Sequence, residues 1–241
     1  MNKISVITAT YNAIEHIPRL IESLRAQTDQ DYEWVVADGK SEDGTVQLLN
    51  SINDLNITIS SEKDFGIYDA LNRGVIASKG DFYLVIGADD YLFPDAIENF
   101  KKEISNSVDV VTSSVATVNG VKKFKQSWAW LYGMQGIISG HAVSTIFRKN
   151  LHDKVGLYSN QFPIAADQLF VKKIYIYGAK VKVADFTAGY FNHQGLSGSN
   201  IAGSLSETFR VQLITEKFNF IQVLIFILRI IKNYRLLKDK L

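Results

Sequence analysis

The first hundred residues alternate short apolar runs with amphipathic segments, and this alternation limits the fold more than any other feature of the chain. Four apolar runs have the length of strands, at residues 4–8, 33–37, 56–60 and 82–86. The segments between them place apolar residues at helical spacing, as in residues 14–24. Strand–helix–strand repetition is typical of a parallel sheet covered by helices. We therefore predict an α/β, Rossmann-like fold with a mostly parallel central sheet flanked by helices.

The fourth apolar run leads into two adjacent acids, Asp89 and Asp90, where the predicted strand leaves the sheet. In open α/β sheets, ligands collect outside the carboxyl ends of the strands. Two neighbouring carboxylates repel each other unless a cation lies beside them. A hard divalent ion that also binds substrate phosphates would fit this place. The alternative is a solvated turn, because Asp is common in turns.

Polar clusters also follow the first three runs. Residues 8–12 could line a nucleotide pocket, and Asp38 could accept hydrogen bonds from a ribose or a base. Asp69, Asn72 and Arg73 stand at helical positions i, i+3 and i+4, so they share a face from which the arginine could reach a diphosphate. A turn or helix cap for Asp38, and a salt-bridged helix surface for the other three, are the alternatives.

Taken together, these clusters resemble the family 2 glycosyltransferases, whose domain has the GT-A fold. The resemblance is specific over residues 3–100, because four motifs occur in order and at suitable separations. It is looser over residues 136–200 and absent from the tail. The motifs are Val6-Ile7-Thr8-Ala9-Thr10-Tyr11-Asn12, Asp38-Gly39 through Asp43-Gly44-Thr45, Asp64-Phe65-Gly66-Ile67-Tyr68-Asp69-Ala70-Leu71-Asn72-Arg73-Gly74, and Ala88-Asp89-Asp90.

The resemblance implies a nucleotide-sugar donor, a Mn²⁺ or Mg²⁺ ion and inversion at the anomeric carbon. It places the base and ribose on Thr8, Tyr11 and Asp38, and the metal on Asp89 and Asp90, with Asp89 also near the donor and Asp90 the expected direct ligand. Two departures from the family pattern are a single acid at Asp38, where paired acids are usual, and Ala-Asp-Asp in place of Asp-x-Asp.

The reaction also needs a base, because the acceptor hydroxyl loses its proton as it attacks the sugar. Residues 163–170 resemble the family segment that holds the catalytic acid, which points to Asp167, although Ala166 replaces the usual Glu. A helix N-cap is the alternative role for Asp167.

Two histidines are candidates for an acceptor or donor loop. His141 belongs to a segment of small residues that resembles similar bacterial enzymes, and a packed, hydrogen-bonded histidine is the alternative there. His193 precedes a stretch rich in Gly and Ser over residues 195–204, which we predict to be a loop. Such a loop could close over the donor phosphates and exclude water.

We predict one catalytic domain over residues 1–216, with a nucleotide-sugar half (1–105) and an acceptor half (106–216), followed by an amphipathic basic helix over residues 217–241. The tail holds six of the 26 basic residues and one of the 25 acidic residues, so the body carries a formal charge of about −4. The apolar run at residues 220–231 is too short to span a bilayer and favours a helix on an anionic membrane surface. A helix packed on the core, or a homodimer contact, is the alternative.

Other features narrow the functional class. The absence of cysteine excludes disulfides and thiolate metal sites. The first residues lead directly into a predicted strand without a signal-peptide pattern, so we expect a cytoplasmic protein, peripheral on the inner face of the cell membrane. The sequence lacks the broad concentration of basic residues that would indicate nucleic-acid binding.

The expected function is therefore transfer of one sugar, from a UDP-sugar by preference, to a lipid-linked or saccharide acceptor in surface polysaccharide (O-antigen or capsule) assembly. No Gln-x-x-Arg-Trp motif occurs, which disfavours a processive synthase. One alternative is a sugar-1-phosphate nucleotidylyltransferase, which would require a glycine-rich loop after the first strand. The other is a non-catalytic, membrane-associated scaffold that binds a nucleotide sugar.

Overall fold

In the computed structural model, which describes residues 3–192 and 200–238, the chain folds around one nine-stranded sheet. The strands are β1 (Ile4–Thr10), β2 (Tyr32–Asp38), β3 (Ile57–Ser61), β4 (Phe82–Val85), β5 (Tyr91–Leu92), β6 (Val110–Thr117), β7 (Gly120–Lys122), β8 (Thr145–Arg148) and β9 (Val181–Tyr190). Their order is β3-β2-β1-β4-β8-β6-β9-β5, with β7 paired to β6. The run from β3 to β4 is parallel, and β8 enters antiparallel between β4 and β6.

Helices cover the sheet. Within the described ranges they are α1 (Ile17–Arg25), α2 (Thr45–Asn50), α3 (Ile67–Ala77), α4 (Ala96–Glu103), α5 (Ala129–Tyr132), α6 (Leu151–Val155), α7 (Ala166–Tyr177), α8 (Ile201–Thr215), α9 (Asn219–Lys232) and α10 (Tyr234–Lys238). A 3₁₀ turn, Gly133–Gly136, follows α5 directly. The predicted α/β fold, with a mostly parallel central sheet flanked by helices, is confirmed.

The core explains why the alternating pattern produces these elements. Helix α1 buries Ile17, Leu20, Ile21 and Leu24, which lie at i, i+3, i+4 and i+7 on one face. Strand β1 is buried along nearly its whole length, as expected of a parallel strand covered on both faces. Helix α3 approaches this strand so closely that a side chain at Gly74 would collide with the core.

The second half of the sheet comes from residues that gave a weaker signal. Strands β6 and β8 and helix α7 all lie in this part of the chain. The predicted loop over residues 195–204 is wrong for its last four residues, which begin α8. Asn200 caps this helix by accepting a hydrogen bond from the Gly203 N–H at 2.8 Å.

The tail forms α9 and α10 in place of one continuous helix. Helix α9 packs on α8, where the rings of Phe209 and Phe226 stack with centroids 4.3 Å apart. Among the described residues, no helix combines the length and the apolar character needed to cross a membrane. Because one sheet includes strands from both predicted halves, the boundary at residue 105 does not interrupt the sheet.

Candidate functional site

A cleft of about 450 Å³ opens at the sheet edge where the parallel strands β1 and β4 end. One part of its wall comes from the end of β4 and from α3, and another comes from the start of α7 and the segment before β8. Asp89, Asp90, His141 and Asp167 all line this cleft. Folding therefore brings together four predicted site residues from three separate parts of the sequence.

Asp89 and Asp90 occupy the turn after β4 and lean over Gly87. A Cβ built on this glycine would lie 2.9 Å from one oxygen of each carboxylate. Asp90 is only 2% exposed, and it accepts hydrogen bonds from the N–H groups of Gly87 (3.1 Å) and Asn192 (2.8 Å). Burial, together with the charge of Asp89, raises the pKa of Asp90 to about 7. Asp89 is partly exposed, so it presents more carboxylate surface to the cleft.

The chemistry of this acidic pair fits a hard divalent cation. Carboxylate oxygens suit Mg²⁺ and Mn²⁺, and a cation would relieve the repulsion between the two acids. The described residues contain no cluster of three or more His, Asp or Glu side chains placed to hold a metal. The pair would thus fill only part of a coordination sphere, and water and phosphate oxygens would complete it, as is usual for Mg²⁺.

Asp167 lies in the first turn of α7 and is held by α3. Its Oδ1 accepts hydrogen bonds from the Tyr68 hydroxyl and from the Gln168 N–H, both at 2.8 Å. None of the described residues donates a hydrogen bond to Oδ2 in the structure. Burial raises the pKa of Asp167 to about 6, and the hydrogen bond from Tyr68 limits that rise. Burial also raises the pKa of Tyr68 well above its usual value, so this hydroxyl remains a donor.

A chain of hydrogen bonds runs from His141 to the carbonyl of Gly156. His152 Nδ1 lies 3.1 Å from this carbonyl, which can only accept, so Nε2 of the neutral ring accepts from the Tyr83 hydroxyl at 2.8 Å. Tyr83 in turn accepts from Tyr158 (2.8 Å), and Tyr158 accepts from His141 Nε2 (2.6 Å). Burial lowers the pKa of His141 to about 3. The sequence of donors therefore leaves His141 Nδ1 as an unprotonated acceptor in a residue that lines the cleft.

The turn that carries His141 is strained. Val143 has φ of 66°, a conformation that β-branched residues rarely adopt. Its N–H donates to the Val85 carbonyl at 2.8 Å, which ties the turn to the end of β4. Backbone strain of this kind costs about 1–3 kcal/mol and is found mostly where a precise geometry is needed.

Asp38, at the end of β2, has a different environment. It is fully buried, and its carboxylate accepts four hydrogen bonds: from the Thr10 hydroxyl (2.9 Å), the Ser41 N–H (2.8 Å), the Ser41 hydroxyl (2.5 Å) and the Ser61 hydroxyl (2.7 Å). Burial alone would raise the pKa of Asp38, but these hydrogen bonds outweigh burial and lower it. These contacts match the alternative, turn-stabilising role of Asp38, and its predicted contact with a ribose or a base remains a prediction.

The two residues predicted beside Asp38 differ in exposure. Thr8 is fully buried and accepts a hydrogen bond from Trp34 Nε1 at 3.0 Å, so it joins β1 to β2. Tyr11 is 68% exposed, and its ring lies 3.3 Å from the position that a Cβ of Gly39 would take, with Asp64 Oδ2 closer still at 2.6 Å. An exposed ring beside a carboxylate offers a surface on which a base can stack and donate a hydrogen bond.

The three predicted residues of α3 all contact protein groups. Asn72 holds the backbone of Tyr158 from both sides, with two hydrogen bonds of 2.9 Å. Arg73 donates a hydrogen bond to the carbonyl of Asp38 at 3.1 Å and so stabilises the end of β2. Asp69 accepts from an N–H in the turn that precedes its own helix. Their predicted contact with a donor remains a prediction, and the contacts seen in the structure are structural.

Sequence reasoning assigned no role to Tyr68, Tyr158 or Asn192. Tyr68 lies inside the third motif, and that position was its only signal. Tyr158 and Asn192 act through a hydroxyl relay and a backbone N–H, which leave no local pattern in a sequence. The predicted residue His193 lies outside the described residues.

Comparisons with known proteins find glycosyltransferases. The PGL/p-HBAD biosynthesis glycosyltransferase of Mycobacterium bovis (strain BCG / Pasteur 1173P2) is 27% identical over 173 residues, which cover 68% of this chain and 66% of that protein. An uncharacterized glycosyltransferase of Bacillus subtilis (strain 168) is 30% identical over 167 residues, covering 65% of this chain and 62% of that protein. The chain thus spans just under two thirds of the length of these relatives.

Solved structures share the fold. S. aureus TarS superposes with a TM-score of 0.70 at 24% identity, over 92% of this chain and 42% of that chain. A mannosyltransferase from Pyrobaculum calidifontis, in complex with GDP-Man and Mn²⁺, has a TM-score of 0.68 at 19% identity, over 89% of this chain and 65% of that chain. At these identities the likeness shows the fold, which is the predicted GT-A fold.

The model of the family "Glycosyl transferase family 2" matches residues 5–168. This match covers more than half of the chain and includes both the acidic pair and Asp167. The resemblance that we drew from four motifs is confirmed, and the chain belongs to glycosyl transferase family 2.

Proposed function

We propose that this protein transfers one sugar from a nucleotide-sugar donor, with a UDP-sugar favoured, to a lipid-linked or saccharide acceptor with inversion at the anomeric carbon. One observation carries the proposal: a single cleft is lined by the acidic pair Asp89–Asp90 and by Asp167. The pair can hold a metal diphosphate and Asp167 can take a proton. These are the two tasks that such a transfer requires.

Asp167 would be the general base. Tyr68 and Gln168 fix Oδ1, which leaves Oδ2 to accept the proton of the acceptor hydroxyl. As the acceptor oxygen bonds to the anomeric carbon, the carbon–oxygen bond to the diphosphate breaks and the electron pair leaves with the diphosphate. The proton passes to Asp167, and a single displacement of this kind inverts the anomeric centre. A pKa of about 6 keeps the carboxylate largely ionised at neutral pH and still basic.

Asp89 and Asp90 would hold the divalent cation, Mn²⁺ or Mg²⁺, whose charge would stabilise the leaving diphosphate. The convergence of both carboxylates over Gly87 supports this role. Two fold relatives were solved with nucleotide sugars: S. aureus TarS 1-349 in complex with UDP-GlcNAc, and the Pyrobaculum calidifontis protein with GDP-Man and Mn²⁺.

The acceptor would be lipid-linked, in the assembly of a surface polysaccharide such as O-antigen or capsule. The tail, residues 217–241, would bring the enzyme to the inner face of the cell membrane as a peripheral protein. Two features support this membrane contact: basic residues are concentrated in the tail, and the apolar side chains of α9 are exposed.

A thermal-shift panel with UDP, GDP, dTDP and CMP, each with and without Mn²⁺, tests the donor class. We expect a Mn²⁺-dependent rise in melting temperature with UDP. The double variant Asp89→Asn/Asp90→Asn should lose the Mn²⁺-dependent part. If no nucleotide shifts the melting temperature with or without metal, the proposal fails.

A further inference from the structure

Helix α9 turns polar side chains toward α5, stacks Phe226 on α8, and carries apolar side chains on its outer face. Gln222, which is buried, donates to the Trp130 carbonyl at 3.0 Å, and Arg229, one heptad later on the same face, donates to the Leu131 carbonyl at 2.6 Å. On the outer face, Leu228 and Ile231 are each 64% exposed. This is the reverse of a helix that packs on a core and faces water.

The short helix α5 is held by its backbone carbonyls and by the buried side chain of Ala129. Gln212 of α8 adds a second donor to the Trp130 carbonyl at 3.2 Å, and Lys172 of α7 reaches the carbonyl of Ala129 and pairs with Glu216. With the carbonyls engaged inward, the aromatic side chains turn outward: Trp128 is 65% exposed and its ring stacks on Trp130 with centroids 6.1 Å apart. The packing of the α5 backbone therefore keeps the aromatic side chains of this segment exposed.

We propose that these two elements form one docking face for an anionic lipid surface. The face consists of Trp128, Trp130, Tyr132, Leu224, Leu228 and Ile231. Soluble monomers rarely expose apolar patches beyond a few hundred Å², and larger patches mark interaction sites. Helix α9 is about 21 Å long, so it suits a position in the plane of the interface, where Trp and Tyr are enriched.

Charge selects a lipid surface over a second copy of the chain. Residues 120–135 and 217–238 contain eight basic residues and no acidic residue, whereas the chain as a whole is nearly neutral. An anionic leaflet attracts basic segments that lie near its surface. Two copies meeting through this face would bring like charges together.

The docking face adjoins the cleft. The 3₁₀ turn that follows α5 supplies Met134 and Gln135 to the cleft wall, and Lys122 from the same basic segment also lines it. This inference extends the proposed function: docking would place the opening of the cleft beside the lipid surface, where a lipid-linked acceptor lies. It adds α5 to the membrane contact that the tail alone was expected to make.

Co-sedimentation with vesicles tests the docking face on the full chain. The vesicles are phosphatidylcholine alone, and phosphatidylcholine with phosphatidylglycerol at about three to one, to vary the negative surface charge. We expect binding to the mixed vesicles that weakens with salt, and a loss of about tenfold or more in Trp128→Ser/Trp130→Ser. The matched control is Tyr175→Ser/Tyr177→Ser, which removes two exposed rings of α7 and should bind like the parent chain.

A second variant, Leu228→Ser/Ile231→Ser, covers the case in which the tryptophan variant does not fold, as judged by circular dichroism. Unchanged vesicle binding in a folded variant of either pair would overturn the docking face. So would self-association in light scattering without lipid that the tryptophan variant abolishes, because it would assign the face to a second copy. The UDP and Mn²⁺ thermal shift, measured on the parent chain, separates this inference from the proposed function. Vesicle binding without a thermal shift would support the docking face and contradict the proposed function. A thermal shift without vesicle binding would support the proposed function and contradict the docking face.

Discussion

Asp38, at the end of β2, and the two cleft acids Asp90 and Asp167 have different surroundings. Asp38 accepts four hydrogen bonds from the protein, and its pKa is lowered. Asp90 and Asp167 each accept two, and burial raises their pKa to about 7 and about 6. A carboxylate that the protein satisfies completely is a fixed part of the fold. One with spare lone pairs and a raised pKa is suited to bind a cation or take a proton.

The largest expected effect is on catalysis at Asp167. Asp167→Asn removes the proton acceptor and should lower the transfer rate by about 10²–10⁴-fold while UDP still binds, because Asp167 is not expected to hold the nucleotide. Turnover of donor and isothermal calorimetry with UDP and Mn²⁺ measure the two effects. Asp185→Asn, an exposed acid on β9, is the control. A transfer rate close to that of the parent chain would show that another residue acts as the general base.

Asp38 should instead affect stability. Asp38→Ala leaves the buried Thr10 hydroxyl without its acceptor and removes the hydrogen bonds from half-buried Ser41 and exposed Ser61, so we expect the free energy of unfolding to fall by about 2 kcal/mol. Denaturant titration measures it, with exposed Asp153→Ala as the control. If stability is unchanged and UDP binding is lost, Asp38 contacts the donor directly and the contrast with Asp90 is wrong.

Gly87 tests the convergence of the acidic pair. Gly87→Ala would place a methyl group 2.9 Å from oxygens of both Asp89 and Asp90 and push them apart. The expected result is a loss of about tenfold or more in Mn²⁺-dependent UDP affinity. Titration of Mn²⁺ at fixed UDP measures it. An unchanged Mn²⁺ requirement would show that the pair does not act together on the metal.

Tyr68 tunes the base by a smaller amount. Asp167 accepts a proton only when ionised, so the rate should rise with pH through its pKa of about 6. Tyr68→Phe removes the hydrogen bond that favours the ionised form, so the rising limb should move upward by about one pH unit. The pH dependence of the rate at saturating donor measures this shift. If the rising limb of the pH profile stays in place and the rate is lower at every pH, Tyr68 has only a structural role.

The smallest effect is spectroscopic. The relay predicts a proton on Nε2 of His141 and on Nδ1 of His152, and both rings should stay neutral above pH about 5, since burial lowers their pKa to about 3 and about 4. Long-range ¹H–¹⁵N correlation spectra distinguish the two tautomers, and Tyr158→Phe should perturb both. If both rings carry the proton on the same nitrogen, the order of donors in the relay is wrong.

The prediction of the fold was strongest where local patterns are strong. The first four strands and three helices followed from apolar periodicity, because parallel strands covered on both faces read as continuous apolar runs. Strand β9 was not predicted, since its residues alternate irregularly between buried and exposed positions. Helix α8 was missed at its start, because Gly and Ser favour loops locally while Asn200 and packing against α7 and α9 stabilise the helix.

By itself the sequence determined the fold class, the family and the identity of the acids that line the cleft, because each of these is written in short motifs after apolar runs. It did not separate Asp38 from Asp90, although both follow a strand. Two of the four donors to Asp38 come from residues 28 and 23 positions away, and the Asn192 N–H reaches Asp90 across 102 residues. Only the tertiary structure decided which carboxylate has its hydrogen bonds filled by the protein and which keeps lone pairs for a cation. Burial and hydrogen bonding depend on what the folded chain places around each group.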